Sequence, residues 1–315
     1  EMKDNTLTQK SIDVMKKLDG PLTITTYINM LDEDYFRGMP RYYNEDFERF
    51  EKFVRFKPEM KLKYVYYYDK VQNSSLDRRY PGLSDEERLA KICEVEEWDV
   101  KDILTPEEIH KIEDLSGEYN KFARVIERGN GQKSILRIYD DNMRHPSETE
   151  ITAAFKRMVI KSPMVAFLEG HGERSINGAG DRDYYAFSRY KAFRNSLVNQ
   201  GFDNMTLCLD SLDRIPENVD ILVISDVRTP LSEKEQVIIE NYIAQGRNLL
   251  IAGEPRRQEQ MNAIIAPLGL AFLPGLLVQE SKDYPADLIL SKATHAAAGL
   301  TRSFYRMAYY NYCIT

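Results

Sequence analysis

Strand-length apolar runs alternate with helix-length amphipathic runs between residues 164 and 269, and this alternation limits the possible folds of the region more than any other feature. The predicted strands are "MVAFLEG", "DNMTLCLD", "VDILVISDV" and "RNLLIAGE". The predicted helices are "DYYAFSRYKAFRNSLVNQG", "SEKEQVIIENYIAQG" and "RRQEQMNAIIAPLG". Ser232 and Glu235 are expected to cap the start of the second of these helices. Strands that alternate with helices of this length imply βαβ units. We therefore expect a doubly wound parallel sheet in which "VDILVISDV" and "RNLLIAGE" are buried strands.

The first half of the chain predicts a second α/β domain with a different order of elements. Strands are expected at "PLTITTYINM" and "MKLKYVYYYD", with helices at "PRYYNEDFERFEKFVRF" and "SDEERLAKICEV". Gly129-Asn130-Gly131 then predicts a hairpin, because Asn-Gly favours tight turns between strands. A capping box of Ser147 and Glu150 opens the last helix. This order is typical of a thioredoxin-like domain over residues 1–160, packed against a doubly wound domain over residues 161–315.

Composition excludes several classes of protein. The formal net charge of -7 argues against nucleic-acid binding, which requires a basic face. The longest apolar runs have strand length, so none is expected to span a bilayer, and "EMKDNTLTQK" has no signal-peptide character. The three cysteines, Cys93, Cys208 and Cys313, form no C-x-x-C pair, which excludes a zinc ribbon or a dithiol redox site. Cys208 is expected to be a small buried residue.

The run "FLEGHGERS" places His171 and Glu173 at the carboxyl end of the first strand of the second half. Ligands of doubly wound sheets bind outside the carboxyl ends of the strands, so the loop is a candidate site. Its glycines allow the backbone to approach a ligand closely. In the structural interpretation, Gly170 and Gly172 make a tight turn while His171 and Glu173 hold neighbouring loops in place.

Acidic residues follow the other predicted strands, namely Asp210, Asp226 and Glu254. With His171 and Glu173 they could hold a hard cation, and one hypothesis is a metal-dependent or hydrolytic enzyme that uses His171, Glu173, Asp226 and Glu254. The alternative is that basic residues of the same loops neutralise these acids or bind an anion. Those basic residues are Arg228, Arg256 and Arg257.

Other features limit the enzymatic interpretations and open a binding one. The chain contains neither G-x-x-x-x-G-K-[ST] nor G-x-S-x-G, and "DILVISDV" leads into Arg228 rather than into a cysteine nucleophile. No cofactor is therefore predicted. The chain has 20 tyrosines, many of them clustered, so a carbohydrate- or polymer-binding module is a further hypothesis, which requires an exposed aromatic platform.

Four segments together resemble the GldG-like, gliding-motility-type ABC transporter auxiliary component. They are "LTQKSIDVMKKLDGPLTITTYI", "ITAAFKRMVIKSPMVAFLEGHGE", "IPENVDILVISDVRTPLSEKEQVIIENYIAQGRNLLIAGEP" and "MNAIIAPLGLAF". The second half is also similar to class I glutamine amidotransferase-like domains, without their nucleophile.

The resemblance implies a non-enzymatic domain that binds a substrate or partner on the extracytoplasmic, periplasmic face of a bacterial inner membrane. Membrane anchoring is expected through segments outside this sequence, and the implied partners are the permease and ATPase subunits of the same system. The candidate ligand- or partner-binding residues are His171, Glu173, Asp226, Arg228 and Glu254.

Overall fold

A computed structural model describes residues 6–180, 183–254 and 257–309 of the chain. It has a mixed α/β fold with two four-stranded sheets, one mixed and one all-parallel, as predicted. No helix within the described ranges is long and apolar enough to cross a membrane.

The first sheet has the strand order β2-β1-β3-β4. Strand β1 pairs in parallel with β2 and antiparallel with β3, which forms the predicted hairpin with β4. The strands are Leu22–Asn29 (β1), Lys61–Tyr67 (β2), Ala123–Arg128 (β3) and Lys133–Arg137 (β4). The helices of this part are Gln9–Met15 (α1), Tyr43–Val54 (α2), Ser74–Arg79 (α3), Asp85–Glu96 (α4), Pro106–Ile112 (α5) and Glu148–Lys156 (α6).

Apolar side chains bury the first sheet, and helix caps define the helix ends. Phe50 and Phe53 of α2 pack with Phe155 of α6 in a core that also includes Leu22 and Ile24 of β1. A second core includes Leu89 and Ile92 of α4. The capping boxes at Ser84, Thr105 and Ser147 satisfy the first free N–H groups of α4, α5 and α6. Local sequence and tertiary burial therefore agree in this part.

The second sheet has the order β6-β5-β7-β8, so β5, the first of these strands along the chain, lies inside the sheet. Its strands are Met164–Leu168 (β5), Asp203–Leu207 (β6), Ile221–Ser225 (β7) and Asn248–Ala252 (β8). The remaining helices are Tyr185–Ser188 (α7), Glu233–Ala244 (α8), Gln258–Ile265 (α9) and Arg302–Tyr309 (α10). Single 3-10 turns occupy Tyr35–Gly38, Pro40–Tyr42, Val100–Asp102, Ser116–Glu118, Ala266–Leu268 and Ala297–Gly299.

Strand β8 corrects one sequence expectation. It is the edge strand, and its residues alternate between exposed and half-buried, with Leu250 49% exposed, whereas β7 is buried as predicted. The prediction for Cys208 is also wrong, because that residue lies one position beyond the end of β6 and is exposed. Cys313 lies outside the described residues. Both errors arise because an apolar run does not show where its strand ends or which strand is at the edge.

The long helix predicted over residues 183–201 is wrong as well. Only Tyr185–Ser188 is helical, and the chain then continues in turns to Gly201. The Asn199 amide group donates to the carbonyl oxygens of Lys191 and Phe193, both at 2.9 Å, which a regular helix would need for itself. Side-chain hydrogen bonds to backbone carbonyls compete with helical hydrogen bonds, so apolar periodicity alone did not predict the structure of this segment.

The end of the chain has little regular structure before α10. The run "AYYNYCIT", predicted as strand-like, has Ala308 and Tyr309 in α10, and residues 310–315 lie outside the described residues. Several large apolar side chains between residues 268 and 278 are exposed.

The described residues divide into two compact units. The first unit comprises residues up to 170, residues 174–223 and residues 247–250. The second comprises residues 171–173, 224–246 and 251 onwards. The predicted domains 1–160 and 161–315 stay a prediction.

Candidate functional site

The loop that carries His171 and Glu173 begins directly after β5 and depends on two glycines. Gly170 and Gly172 have φ values of 129° and 77°, in a region that side chains with a Cβ rarely adopt. A Cβ on Gly172 would also lie 3.0 Å from the Cδ atom of Arg228. The carbonyl oxygen of His171 accepts N–H bonds from Arg228 at 2.8 Å and Thr229 at 3.2 Å. The predicted tight turn is thus present, and it brings His171 beside the segment after β7.

Both ring nitrogens of His171 have partners in the second compact unit. Nε2 lies 3.0 Å from Oε1 of Glu235, and Nδ1 lies 3.2 Å from the Thr229 hydroxyl oxygen. The other carboxylate oxygen of Glu235 accepts bonds from the backbone N–H of Ser232 at 2.8 Å and its hydroxyl at 2.7 Å. Glu235 is therefore shared between the capping box of α8 and His171. The contact fixes the loop to the start of α8.

The electrostatics of Glu235 reflect this sharing. Burial alone would raise its pKa, but the hydrogen bonds from His171 and Ser232 outweigh burial and lower the pKa to about 2. A carboxylate at the N-terminus of a helix is further favoured by the helix dipole. Glu235 is consequently ionised throughout the physiological range and serves as a fixed anchor for His171.

Glu173 supports its own loop. Its Oε2 accepts the backbone N–H of His171 at 2.6 Å. Its Oε1 is buried and has no hydrogen-bond partner among the residues that the structure describes. The geometry is that of a side chain that closes a turn, which matches the structural interpretation of the sequence.

Asp226 follows β7 directly and is the most constrained acid of this region. It is 1% exposed and has a left-handed backbone, with φ 55°. Its carboxylate oxygens lie 3.1 Å from Nε of Arg257 and 3.6 Å from Nη2 of Arg228. These are ion pairs rather than hydrogen bonds, since neither oxygen has a hydrogen-bond donor within the described part of the chain. Aspartate is among the few non-glycine residue types that adopt this conformation at modest cost.

The predicted residues are only partly brought together. His171 bonds to Arg228 through the backbone, and Arg228 pairs with Asp226. Glu254 is linked through its carbonyl oxygen, which accepts the N–H of Arg257 at 3.3 Å. Asp210 is exposed beyond β6, and Arg256 lies outside the described residues. Within residues 6–180, 183–254 and 257–309, no group of three or more His, Cys, Asp or Glu residues is arranged to hold a metal ion.

Sequence reasoning missed the partners of His171. It identified Ser232 and Glu235 as a capping box, which the structure confirms, but did not connect them to the histidine 64 positions earlier. It did identify arginines as counter-ions for the acids, and Arg228 and Arg257 have this role at Asp226. The tyrosine run "YVYYY" is mainly structural, since Tyr67 and Tyr68 are buried. Tyr119 is different, because it is 63% exposed.

The fold and the site together define a doubly wound α/β region with a braced loop at its strand ends. Residues 162–277 match the family model of an ABC-type uncharacterized transport system. The match covers the loop, β5 to β8 and α9, and it confirms the predicted resemblance to an ABC transporter auxiliary component. The family is one of transport accessory components, in agreement with a non-enzymatic role. No curated protein and no solved structure matches the chain.

Proposed function

We propose that this chain is a non-enzymatic domain that binds a substrate or partner for an ABC transport system of the gliding-motility type. It would act on the extracytoplasmic face of the inner membrane, anchored through segments outside this sequence. The permease and ATPase subunits of the system are the expected partners, as the family match implies. The names thioredoxin-like for the first half and amidotransferase-like for the second belong to the same proposal.

The main support for this proposal is that the His171 side chain is held by contacts within the protein. Its side chain is only 16% exposed, and both nitrogens contact Thr229 and Glu235. A general base that acts on a substrate directly must reach its proton, and both nitrogens of this ring already face protein groups. The residue after β7, where an amidotransferase needs a cysteine, is Asp226. The loop therefore lacks the cysteine nucleophile of an amidotransferase, and we propose that it is organised for recognition.

Arg228 is the candidate contact residue of the site. Its side chain is 40% exposed, and its pairing with Asp226 at 3.6 Å leaves N–H groups of the guanidinium accessible to a second acceptor. The backbone bond from Arg228 to His171 holds this residue in place. A planar guanidinium suits a carboxylate or another anionic acceptor. We therefore expect an acidic group on the partner or substrate to bind here.

Site-specific photo-crosslinking in cells tests this proposal. A photoreactive amino acid replaces Arg228 in the full-length protein, and the matched control carries it at Arg214, whose side chain is 79% exposed. We expect a crosslink to the permease or to another component of the same system from position 228 and none from position 214. Equal labelling from both positions, or labelling of unrelated proteins only, would contradict the proposal.

A further inference from the structure

A cavity of about 130 Å³ in the first compact unit is lined by five carboxylates, one of which is in no ion pair within the described residues. The other four are in ion pairs, and Arg144 is shared by two of them. These pairs are Asp34–Arg144 at 2.7 Å, Glu118–Arg137 at 2.6 Å, Asp140–Arg144 at 2.9 Å and Glu33–Lys121 at 3.6 Å. The fifth carboxylate belongs to Asp32, which forms no ion pair within the described residues. Lys121 lowers the pKa of Asp32 but forms its ion pair with Glu33.

Asp32 is 1% exposed, and one of its two carboxylate oxygens accepts a hydrogen bond. Its Oδ2 accepts the N–H of Phe122 at 2.8 Å, while Oδ1 is buried without a hydrogen-bond donor in the described ranges. Burial raises the pKa of Asp32 to about 6, and the Phe122 N–H bond opposes this rise. A buried polar atom without a partner costs free energy, and the cost is larger for a charged group. A ligand that supplies a donor and a positive charge would remove this cost.

An exposed aromatic ring is held at the same cavity by a strained backbone. Tyr119 and Asn120 both adopt left-handed conformations, with φ 57° and 53°. The turn is braced because the Asn120 carbonyl accepts from Nδ2 of Asn29 at 2.9 Å, while the Asn120 amide donates to Asp69 at 3.1 Å. A bulky residue in this region of φ is uncommon, and such strain persists only where the surroundings enforce it. The bracing keeps Tyr119 at the cavity.

A second aromatic residue, Tyr190, also lines the cavity and is 37% exposed. Its hydroxyl donates to Asp140 at 2.9 Å, which fixes the ring position. Aromatic faces attract cations, and the attraction increases when the cation is desolvated. The cavity thus combines a carboxylate that is in no ion pair with two aromatic rings. Nζ of Lys191 already lies 5.6 Å from the ring centroid of Tyr119, so a ligand would share this ring with Lys191.

We propose that this cavity binds a primary ammonium group on a short alkyl stem, with Asp32 as its counter-ion and Tyr119 and Tyr190 as its aromatic walls. The cavity shares no lining residue with the His171 loop, and the inference goes beyond the function proposed above. A neutral hydroxyl would satisfy the hydrogen bond of Asp32 but not its charge, whereas an ammonium supplies both. The volume is close to the roughly 150 Å³ that accommodates a benzene-sized molecule, which suits about six heavy atoms.

Titration with n-butylamine and with its neutral isostere n-butanol tests the site, followed by NMR shifts of the Phe122 amide. We expect the amine to bind with a Kd of about 1 mM, as is reasonable for so small a ligand, and the alcohol not to bind. Asp32→Asn should abolish amine binding, whereas the matched control Glu33→Gln at the exposed neighbour should retain it. Equal binding of the alcohol, or no amine binding at all, would overturn the proposal.

The pH dependence provides a second test that needs no substitution. The neighbours of Asp32 are Glu33 and Asp34 on its own segment, with Lys121 and Tyr67 from other elements. The pKa of Tyr67 is raised by burial, so this tyrosine stays neutral near pH 6. Because the ammonium requires ionised Asp32, we expect affinity to fall about tenfold from pH 7 to pH 5. An affinity that is independent of pH in this range would exclude Asp32 as the counter-ion.

Tyr119→Gly keeps the proposal testable if Asp32→Asn fails to fold. Glycine adopts the left-handed conformation without strain, so the variant should fold while amine affinity falls severalfold. Unchanged affinity would exclude Tyr119 as a wall. The source of the ammonium is tested with Nα-acetyl-lysine methylamide against its norleucine analogue, because a lysine side chain carries its ammonium on a short alkyl stem. Preference for the lysine derivative supports the proposal, and equally tight binding of the norleucine analogue contradicts it.

Discussion

Two capping boxes, one in each compact unit, have nearly the same local geometry but different distant partners. In α6, Oε2 of Glu150 accepts from the Ser147 N–H and hydroxyl, both at 2.8 Å. In α8, Oε2 of Glu235 accepts from the Ser232 N–H and hydroxyl at 2.8 and 2.7 Å. The third partner is Nη1 of Arg194 at 2.8 Å for Glu150, and Nε2 of His171 at 3.0 Å for Glu235.

The contact of Arg194 with Glu150 stabilises the fold, whereas the contact of His171 with Glu235 holds the loop of the candidate site. Arg194 is charged at every accessible pH and also bonds to Asp141 and to the His145 carbonyl, so it is part of a larger network. His171 carries an ionisable ring and holds only its own loop. Binding loops are generally drawn from the less stable parts of a protein. The capping box of α6 is thus part of the structural network, whereas the capping box of α8 also holds the His171 loop.

Removal of Arg194 should have the largest effect. Arg194→Met keeps the aliphatic stem but leaves the buried carboxylate of Glu150 without its counter-ion, and we expect the free energy of unfolding to fall by about 3–5 kcal/mol. Urea denaturation measures this value. The matched control Arg214→Met changes an exposed i,i+3 pair and should stay within about 0.5 kcal/mol of the parent. A loss for Arg194→Met as small as the control's would contradict the structural role assigned to the contact between Arg194 and Glu150.

Acid should weaken the second cap by an intermediate amount. The pKa of Glu235 is lowered from 4.5 to about 2 in the folded chain, so its stabilisation is complete above pH 4.5 and is lost as the pH falls towards 2. We expect this group to contribute about 1–2 kcal/mol to the loss of unfolding free energy between pH 7 and pH 3. Glu235→Gln should lack this contribution when its urea denaturation is compared with the parent. An identical acid dependence in both proteins would contradict the assigned role of Glu235.

The same comparison shows what could be predicted from the sequence. Both capping boxes, the Asn130-Gly131 hairpin and the buried strand β7 were predicted correctly, because each depends on residues that are close in sequence. The turns of residues 189–200 were not, since Asn199 competes for carbonyl oxygens that helical periodicity alone assigns to a helix. The exposure of β8 depends on its place at the sheet edge, which no local pattern reveals.

The sequence indicates the loop around His171 but not the hydrogen bonds that the His171 side chain forms. The glycines around His171 form the tight turn that the sequence predicts, and the arginines expected as counter-ions of the acids pair with Asp226. The contact from His171 to Glu235 spans 64 residues, and nothing near either residue indicates it. The strained turn at Tyr119 likewise depends on Asn29 and Asp69, which are distant in sequence. Non-local hydrogen bonds therefore account for most of what the sequence did not show.

The central claim is that His171 organises the loop by holding Glu235, and a double-mutant cycle tests it most directly. His171→Ala, Glu235→Ala and the double variant are compared with the parent by urea denaturation at pH 7. We expect a coupling free energy of about 1 kcal/mol, because the two side chains share a partly buried hydrogen bond. His110→Ala with Glu235→Ala is the control pair, since His110 contacts Asp69 in the other compact unit, and its coupling should be near zero. A coupling between His171 and Glu235 no larger than that of the control pair would contradict the claim.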